Sequence, residues 1–92
     1  MYDLTPAQIM RHTWRECCEA VHHHNVTMDE CLSNNRSKDV SLAREILACI
    51  ATERLRPIGM TNSDIARFLG MHRTTMLYAL GRFRKRQGYD HG

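Results

Sequence analysis

Apolar side chains recur along this chain at spacings of three and four, and no run of β-branched residues alternates with polar ones. That periodicity predicts helices throughout. The first begins at Thr5, Pro6, Ala7 and Gln8, where Thr5 can cap, Pro6 suits the first helical position and Gln8 completes a capping box. Met10, Trp14, Cys17, Cys18 and Val21 then share a face, which predicts a helix from Pro6 to about His23, ended near Asn25. Thr27, Met28, Asp29 and Glu30 form a second capping box and open a brief helix ending near Leu32. Residues 33–38 read as a polar, basic loop. A third helix is predicted from Asp39 or Val40 to about Leu55, with a buried stripe of Ala43, Ile46, Leu47, Ile50 and Ala51. Pro57 forbids its continuation and makes residues 56–61 a turn.

The following segment carries the most information. Residues 65–79 read as the end of one short helix, a tight turn and the start of another. Thr61 or Asn62 caps the first of these, with Asp64 well placed against its N-terminal dipole. Gly70 falls where the turn needs a left-handed backbone, and Ala66 is small where two crossed helices would approach. Ile65, Leu69, Met71, Met76 and Ala79 can hold those helices together, and the final helix begins near His72 or Arg73. On it Met76, Leu77, Leu80 and Phe83 face inward, and Arg82, Arg84, Lys85 and Arg86 face outward. The expected fold is all-α: a single compact domain over residues 1–92, built of about five helices and containing a helix-turn-helix. Within it, residues 1–24 form an N-terminal helix, 25–86 a DNA-binding core and 87–92 a frayed tail.

Charge sharpens this picture. Residues 1–35 hold two basic and five acidic side chains, whereas residues 36–86 hold eleven basic and four acidic ones. The net charge of +3 thus hides a strongly positive segment that coincides with the helix-turn-helix. A basic segment of this kind is expected to meet a polyanion, because each neutralised phosphate releases counterions; the alternative is a solvated basic surface without a partner. No run reaches the roughly 18–20 apolar residues that span a bilayer, so no membrane partner is expected. The N-terminus lacks the segments of a secretory signal, which makes a bacterial or phage-infected cytoplasm the default location. Cys17, Cys18, Cys31 and Cys49 show no CxxC spacing and are expected to be reduced, with Cys17 and Cys49 as small core residues. His22, His23 and His24, with His12, Cys17 and Cys18, invite a metal reading. Consecutive histidines diverge around a helix, however, and read better as exposed residues near its C-terminal dipole, so no metal or other cofactor is expected. The carboxylates are scattered and no nucleophile–base set can be assembled, so no catalytic residues are expected and the chain does not read as an enzyme.

Three blocks, taken in order, resemble the C-terminal DNA-binding domain (domain IV) of the bacterial replication initiator DnaA. Residues 25–40 are similar to that family's short helix and basic loop, and residues 43–53 to its long central helix. The run Ser63-Asp64-Ile65-Ala66-Arg67-Phe68-Leu69-Gly70-Met71-His72-Arg73-Thr74-Thr75-Met76, continuing to Leu80, is similar to its signature helix-turn-helix. The resemblance implies a Trp-repressor-like helix-turn-helix that binds double-stranded DNA. The family's Arg, Asp and His before the Thr-Thr pair are replaced here by Met71, His72 and Arg73, which implies a different base preference. Asn34 and Asn35 stand where Lys or Arg is common, about three extra residues lie between Glu53 and Ser63, and no glycine-rich phosphate loop is present.

Residue chemistry and resemblance together assign His72, Arg73 and Thr74 to base reading in the major groove, with Arg73 favouring guanine. The resemblance puts Arg36 or Lys38 at the minor groove or its backbone. Ser37, Arg44, Ser63 and Thr75 are expected at phosphates. Arg67, Arg82, Arg84, Lys85 and Arg86 are weaker candidates, since an exposed helix face commonly carries such charges. The expected role is regulation of transcription or replication. The alternative is an adaptor of the same fold that engages a replication or transcription protein with weak or no DNA binding. Trp14 reads as a packing residue. Met10, Trp14 and Val21 could instead form a homodimer contact, and the sequence is compatible with either a monomer or a dimer.

Overall fold

In the computed structural model, which describes residues 4–33 and 37–87, five α-helices follow one another and no strand occurs among the described residues. They are α1 (Pro6–His23), α2 (Met28–Leu32), α3 (Lys38–Leu55), α4 (Asn62–Leu69) and α5 (Arg73–Arg86), with a 3-10 turn over Arg56–Ile58. The fold is all-α, as the spacing predicts. Asn34, Asn35 and Arg36 of the basic loop, and the part of the expected tail beyond Gln87, lie outside the described residues.

Side-chain hydroxyls start the first four helices. Thr5 Oγ1 accepts from the Gln8 amide at 3.2 Å while the Gln8 side chain accepts from the Thr5 amide at 2.9 Å. Thr27 and Glu30 repeat this reciprocal pair at the start of α2, and Thr61 and Asp64 repeat it at α4. Of the two candidates for the α4 cap, Thr61 is used because Asp64 stands three residues on and reaches back to its amide at 3.1 Å. Ser37 caps α3 by accepting from the Val40 amide at 3.3 Å. The helix therefore begins at Lys38, earlier than the apolar pattern places it, and Lys38 is a helical residue rather than a loop residue.

Three chain reversals share one hydrogen-bond pattern. At Asn25, Gly59 and Gly70 the backbone turns left-handed, with φ of 58°, 93° and 81°. In each, that residue's amide bonds three residues back and the next amide bonds five back, which satisfies the last carbonyls of the preceding turn. The bonds are Asn25 to His22 and Val26 to Val21, Gly59 to Arg56 and Met60 to Leu55, and Gly70 to Arg67 and Met71 to Ala66. Glycine adopts this conformation without Cβ strain, and Asn tolerates it better than other side chains do.

Helix α3 is the spine of the domain; α1 and α5 pack along it, and α4 sits against both α3 and α5. Leu47, Leu55, Ile65, Leu69 and Met76 are the largest fully buried apolar side chains, joined by Val21, Val40, Cys17 and Cys31. Ala43, Ala48 and Ala51 of α3, Ala66 of α4 and Ala79 of α5 are buried between them, so small side chains bring the backbones close. The expected stripe of α3 is correct for Ala43, Leu47 and Ala51. Ile46 and Ile50 are only partly buried, because the packed face also takes in Ala48 and Leu55. Buried Thr13 and Thr52 donate to the carbonyls of Ile9 and Ala48 at 2.7 and 2.8 Å, so neither hydroxyl is stranded.

Two expectations about α1 and α3 change. Val21 is buried against the core and is unavailable for a dimer contact. Trp14 remains 38% exposed and meets Phe68 of α4 edge-on, with ring centroids 5.7 Å apart. Cys17 is a core residue, but Cys49 is half-buried and its thiol donates toward the Glu53 carboxylate at 3.6 Å. All four cysteines are free.

Candidate nucleic-acid interface

The left-handed turn at Gly70 ends α4 and, two residues later, releases the chain into α5 with His72 as its extended N-cap residue (φ −68°, ψ 142°). The His72 side chain makes no capping bond to the first turn, in contrast to the hydroxyl caps of α1 to α4. Among the described residues, the first amides of α5 therefore have no side-chain acceptor, at the positive end of a helix dipole. His72, Arg73, Thr74 and Thr75 are all exposed there. Behind them Met76 and Ala79 are buried, which anchors the exposed turn on the core.

Two concave surfaces flank this turn. On one side His72, Thr74, Thr75, Tyr78 and Arg82 form one wall of a groove whose opposite wall is Cys31, Leu32 and Ser33 of the α2 end with Ser41 and Arg44 of α3. On the other side Arg73 shares a recess with Arg56, Thr61, Asn62 and Ser63. The proposed base-reading residues are thus adjacent but divided: Arg73 leans toward the start of α4, while His72 and Thr74 face the α2–α3 wall. His72 Nδ1 and Thr74 Oγ1 are 3.5 Å apart.

The expected backbone-contact residues have distinct surroundings. Ser63 is exposed in the first turn of α4, beside Arg56 and Arg73. Arg56 donates to Asn62 Oδ1 at 3.2 Å, so its guanidinium is held over that helix start. Asp64, in the same turn, has its carboxyl held below the ordinary aspartate value by the amide and hydroxyl of Thr61. Ser37 is exposed and serves as the α3 cap, and Lys38 is exposed one turn before Ser41. Arg44 donates from Nε to the Cys31 carbonyl at 2.9 Å and from Nη2 to the Ser33 carbonyl at 3.2 Å. It therefore ties the end of α2 to α3 and shapes the groove wall. Arg36 lies outside the described residues, so its position relative to Arg73 is not part of this geometry.

Sequence reasoning missed Glu45. Only 2% of this residue is exposed, and both its oxygens are engaged. Arg82 Nε donates to Oε2 at 3.2 Å and Arg86 Nε to Oε1 at 2.8 Å. Two of the four basic residues expected to face outward at the end of α5 are thus clamped onto α3. The available signal was a lone acid on the packed face of α3, matched by two arginines four apart on α5. Arg67 is exposed and lies 3.7 Å from Asp64.

Neither the family profiles, the curated proteins nor the solved structures compared with this chain match it. Among the described residues, no helix is long and apolar enough to cross a membrane, and no three His, Cys, Asp or Glu side chains converge as metal ligands would.

Proposed function

We propose that the chain binds double-stranded DNA in a sequence-dependent way, with the start of α5 in the major groove, and regulates transcription or replication. The observation that carries this reading is the exposed, side-chain-uncapped first turn of α5, bearing His72, Arg73, Thr74 and Thr75 between two surfaces that hold Arg44 and Arg56. A helix start of this kind attracts phosphate, and an Arg within it can donate two bonds to a guanine edge. Arg73 and His72 read bases, with Thr74 against a base edge or a thymine methyl. Thr75 and Ser63 hold phosphates, and Lys38 with Arg36 approaches the neighbouring minor groove or backbone. The resemblance to the DnaA C-terminal domain supports the same arrangement, and the proposed site of action is the cytoplasm.

Selection from randomised duplexes, followed by mobility-shift titration, tests this reading. Arg73→Ala is expected to cost about 1–3 kcal/mol of discrimination at one base pair and to leave the preference elsewhere unchanged. Wild-type affinity is expected to fall steeply with salt. No enriched sequence, or an Arg73→Ala variant with unaltered selectivity, contradicts the proposal and favours an adaptor that binds protein.

A further inference from the structure

We propose that Tyr78 is a phosphate-contacting residue of the DNA interface, held in its binding posture by Arg82 and, through Arg82, by the buried carboxylate of Glu45. This inference rests on the DNA reading of α5 and adds to it a residue that the sequence did not single out.

Tyr78 is 67% exposed, more than Leu4, Trp14 or Leu32. It is nevertheless held. Arg82 Nη1 donates to its hydroxyl at 3.3 Å, and the Arg82 guanidinium carbon lies 5.7 Å from the ring centroid. Arg82 is fixed in turn by its 3.2 Å bond from Nε to Glu45, which is immobilised in α3. A long cation and an exposed ring are thus ordered at a cost in rotamer entropy, while the ring covers little of the core. A ligand contact accounts for that ordering.

Chemistry and position indicate what the ligand is. The phenol oxygen accepts from Arg82, which leaves its own hydrogen for an acceptor outside the protein. The unit of Arg82, Arg86 and Glu45 carries a net charge of +1, so it favours an anion that only accepts hydrogen bonds. Tyr78 lines the same groove wall as Thr74 and lies one turn further along α5, about 6 Å along its axis. When the helix start meets base edges, a side chain one turn on reaches the rim of the groove, where the phosphates run.

The test uses the full chain and a duplex enriched by the wild-type protein. Tyr78→Phe removes the hydroxyl and is expected to weaken binding about tenfold, the size of a lost hydrogen bond to a charged group. Base preference, salt slope and thermal stability should not change. On duplexes carrying a neutral methylphosphonate at one flanking position, the Tyr78→Phe penalty should vanish. Arg82→Lys tests the positioning role. Its penalty should shrink in the Tyr78→Phe background, because part of it acts through the same contact. Equal binding by wild type and Tyr78→Phe overturns the phosphate contact and leaves the DNA reading standing. So does a penalty that no methylphosphonate abolishes, or a changed base preference. Additive penalties overturn the role of Arg82. If the wild-type chain enriches no duplex, the DNA reading fails and this contact fails with it.

Discussion

Two glycines on either side of the exposed turn allow a test in which the same chemical change has opposite signs. Gly70 closes α4 with φ +81°, whereas Gly81 lies within the helical run of α5. A Cβ at Gly70 would meet only Leu32 Cδ1, at 3.7 Å, which is ordinary contact; a Cβ at Gly81 would meet nothing within 4 Å. Neither substitution is opposed by crowding, so the backbone alone sets the outcome. At Gly70 an L-residue must be left-handed, at a cost of about 1–2 kcal/mol. The stiffer unfolded chain of the variant offsets roughly 0.5–1 kcal/mol of that. Gly70→Ala is therefore expected to destabilise the domain by about 1 kcal/mol and to lower Tm by about 4–8 °C. Gly81→Ala removes a helix-weakening residue and is expected to stabilise by about 0.5–1 kcal/mol. Gly70→Asn should fall between Gly70→Ala and wild type, as Asn visits the left-handed region more readily. Urea and thermal unfolding followed by circular dichroism measure all three variants. A Gly70→Ala variant as stable as wild type would mean that the turn before α5 is not left-handed. The direction assigned to the exposed start of α5 would then be wrong as well.

Two further expectations concern other parts of the domain. Arg54 donates to both oxygens of Glu16, at 3.1 and 2.9 Å, and holds the Glu16 carboxyl below its ordinary value of 4.5. A depressed carboxyl stabilises the fold above its unfolded value and loses that contribution as pH falls through the folded one. Both side chains are about half exposed, so Arg54→Gln should cost no more than about 1 kcal/mol at neutral pH, and its stability gap to wild type should close below about pH 4.5. A gap that is constant down to about pH 3 rejects the pairing. Burial pushes the Cys17 thiol up to about 12, so it should resist iodoacetamide in the folded protein and react only on unfolding. Rapid labelling under native conditions rejects its place in the core.

The parts of the fold that could be read in the sequence are those set by neighbours three or four residues apart. Thr5 with Gln8 and Thr27 with Glu30 announce helix starts because both partners of each capping box lie within one turn. Gly70 announces the helix-turn-helix because one residue's backbone freedom decides the turn. The start of α3 was harder to place, since the Ser37 hydroxyl outweighs the apolar pattern. The surroundings of the candidate site were not legible. Glu45 meets its arginines 37 and 41 residues away, and Arg44 reaches carbonyls 13 and 11 residues away. Helical periodicity carries no information about such pairings. It showed that the end of α5 was basic, and could not show that half of that charge is turned back onto α3.

The Glu45 clamp matters more for orientation than for the total stability of the fold. A buried carboxylate loses hydration that ion pairing only partly returns, and an apolar residue of similar volume often serves stability as well or better. The apolar contacts of α5 through Met76, Ala79 and Leu80 are less demanding of geometry, because hydrophobic burial is non-directional. A rotation of α5 equivalent to one residue turns it by about 100°, which would carry Thr74 away from its groove wall. Hydrogen bonds from Arg82 and Arg86 to two separate oxygens of one fixed carboxylate oppose that rotation, since both would lengthen together. The same bonds divide the charge of the basic segment. Arg82 and Arg86 are committed to Glu45, Arg54 to Glu16, and Arg44 to backbone carbonyls, while among the described residues Arg56 and Arg73 enter no ion pair. Arg56 and Arg73 thus leave positive charge where α4 and α5 begin, and Arg84 and Lys85, which enter no ion pair among the described residues either, leave it at the far end of α5.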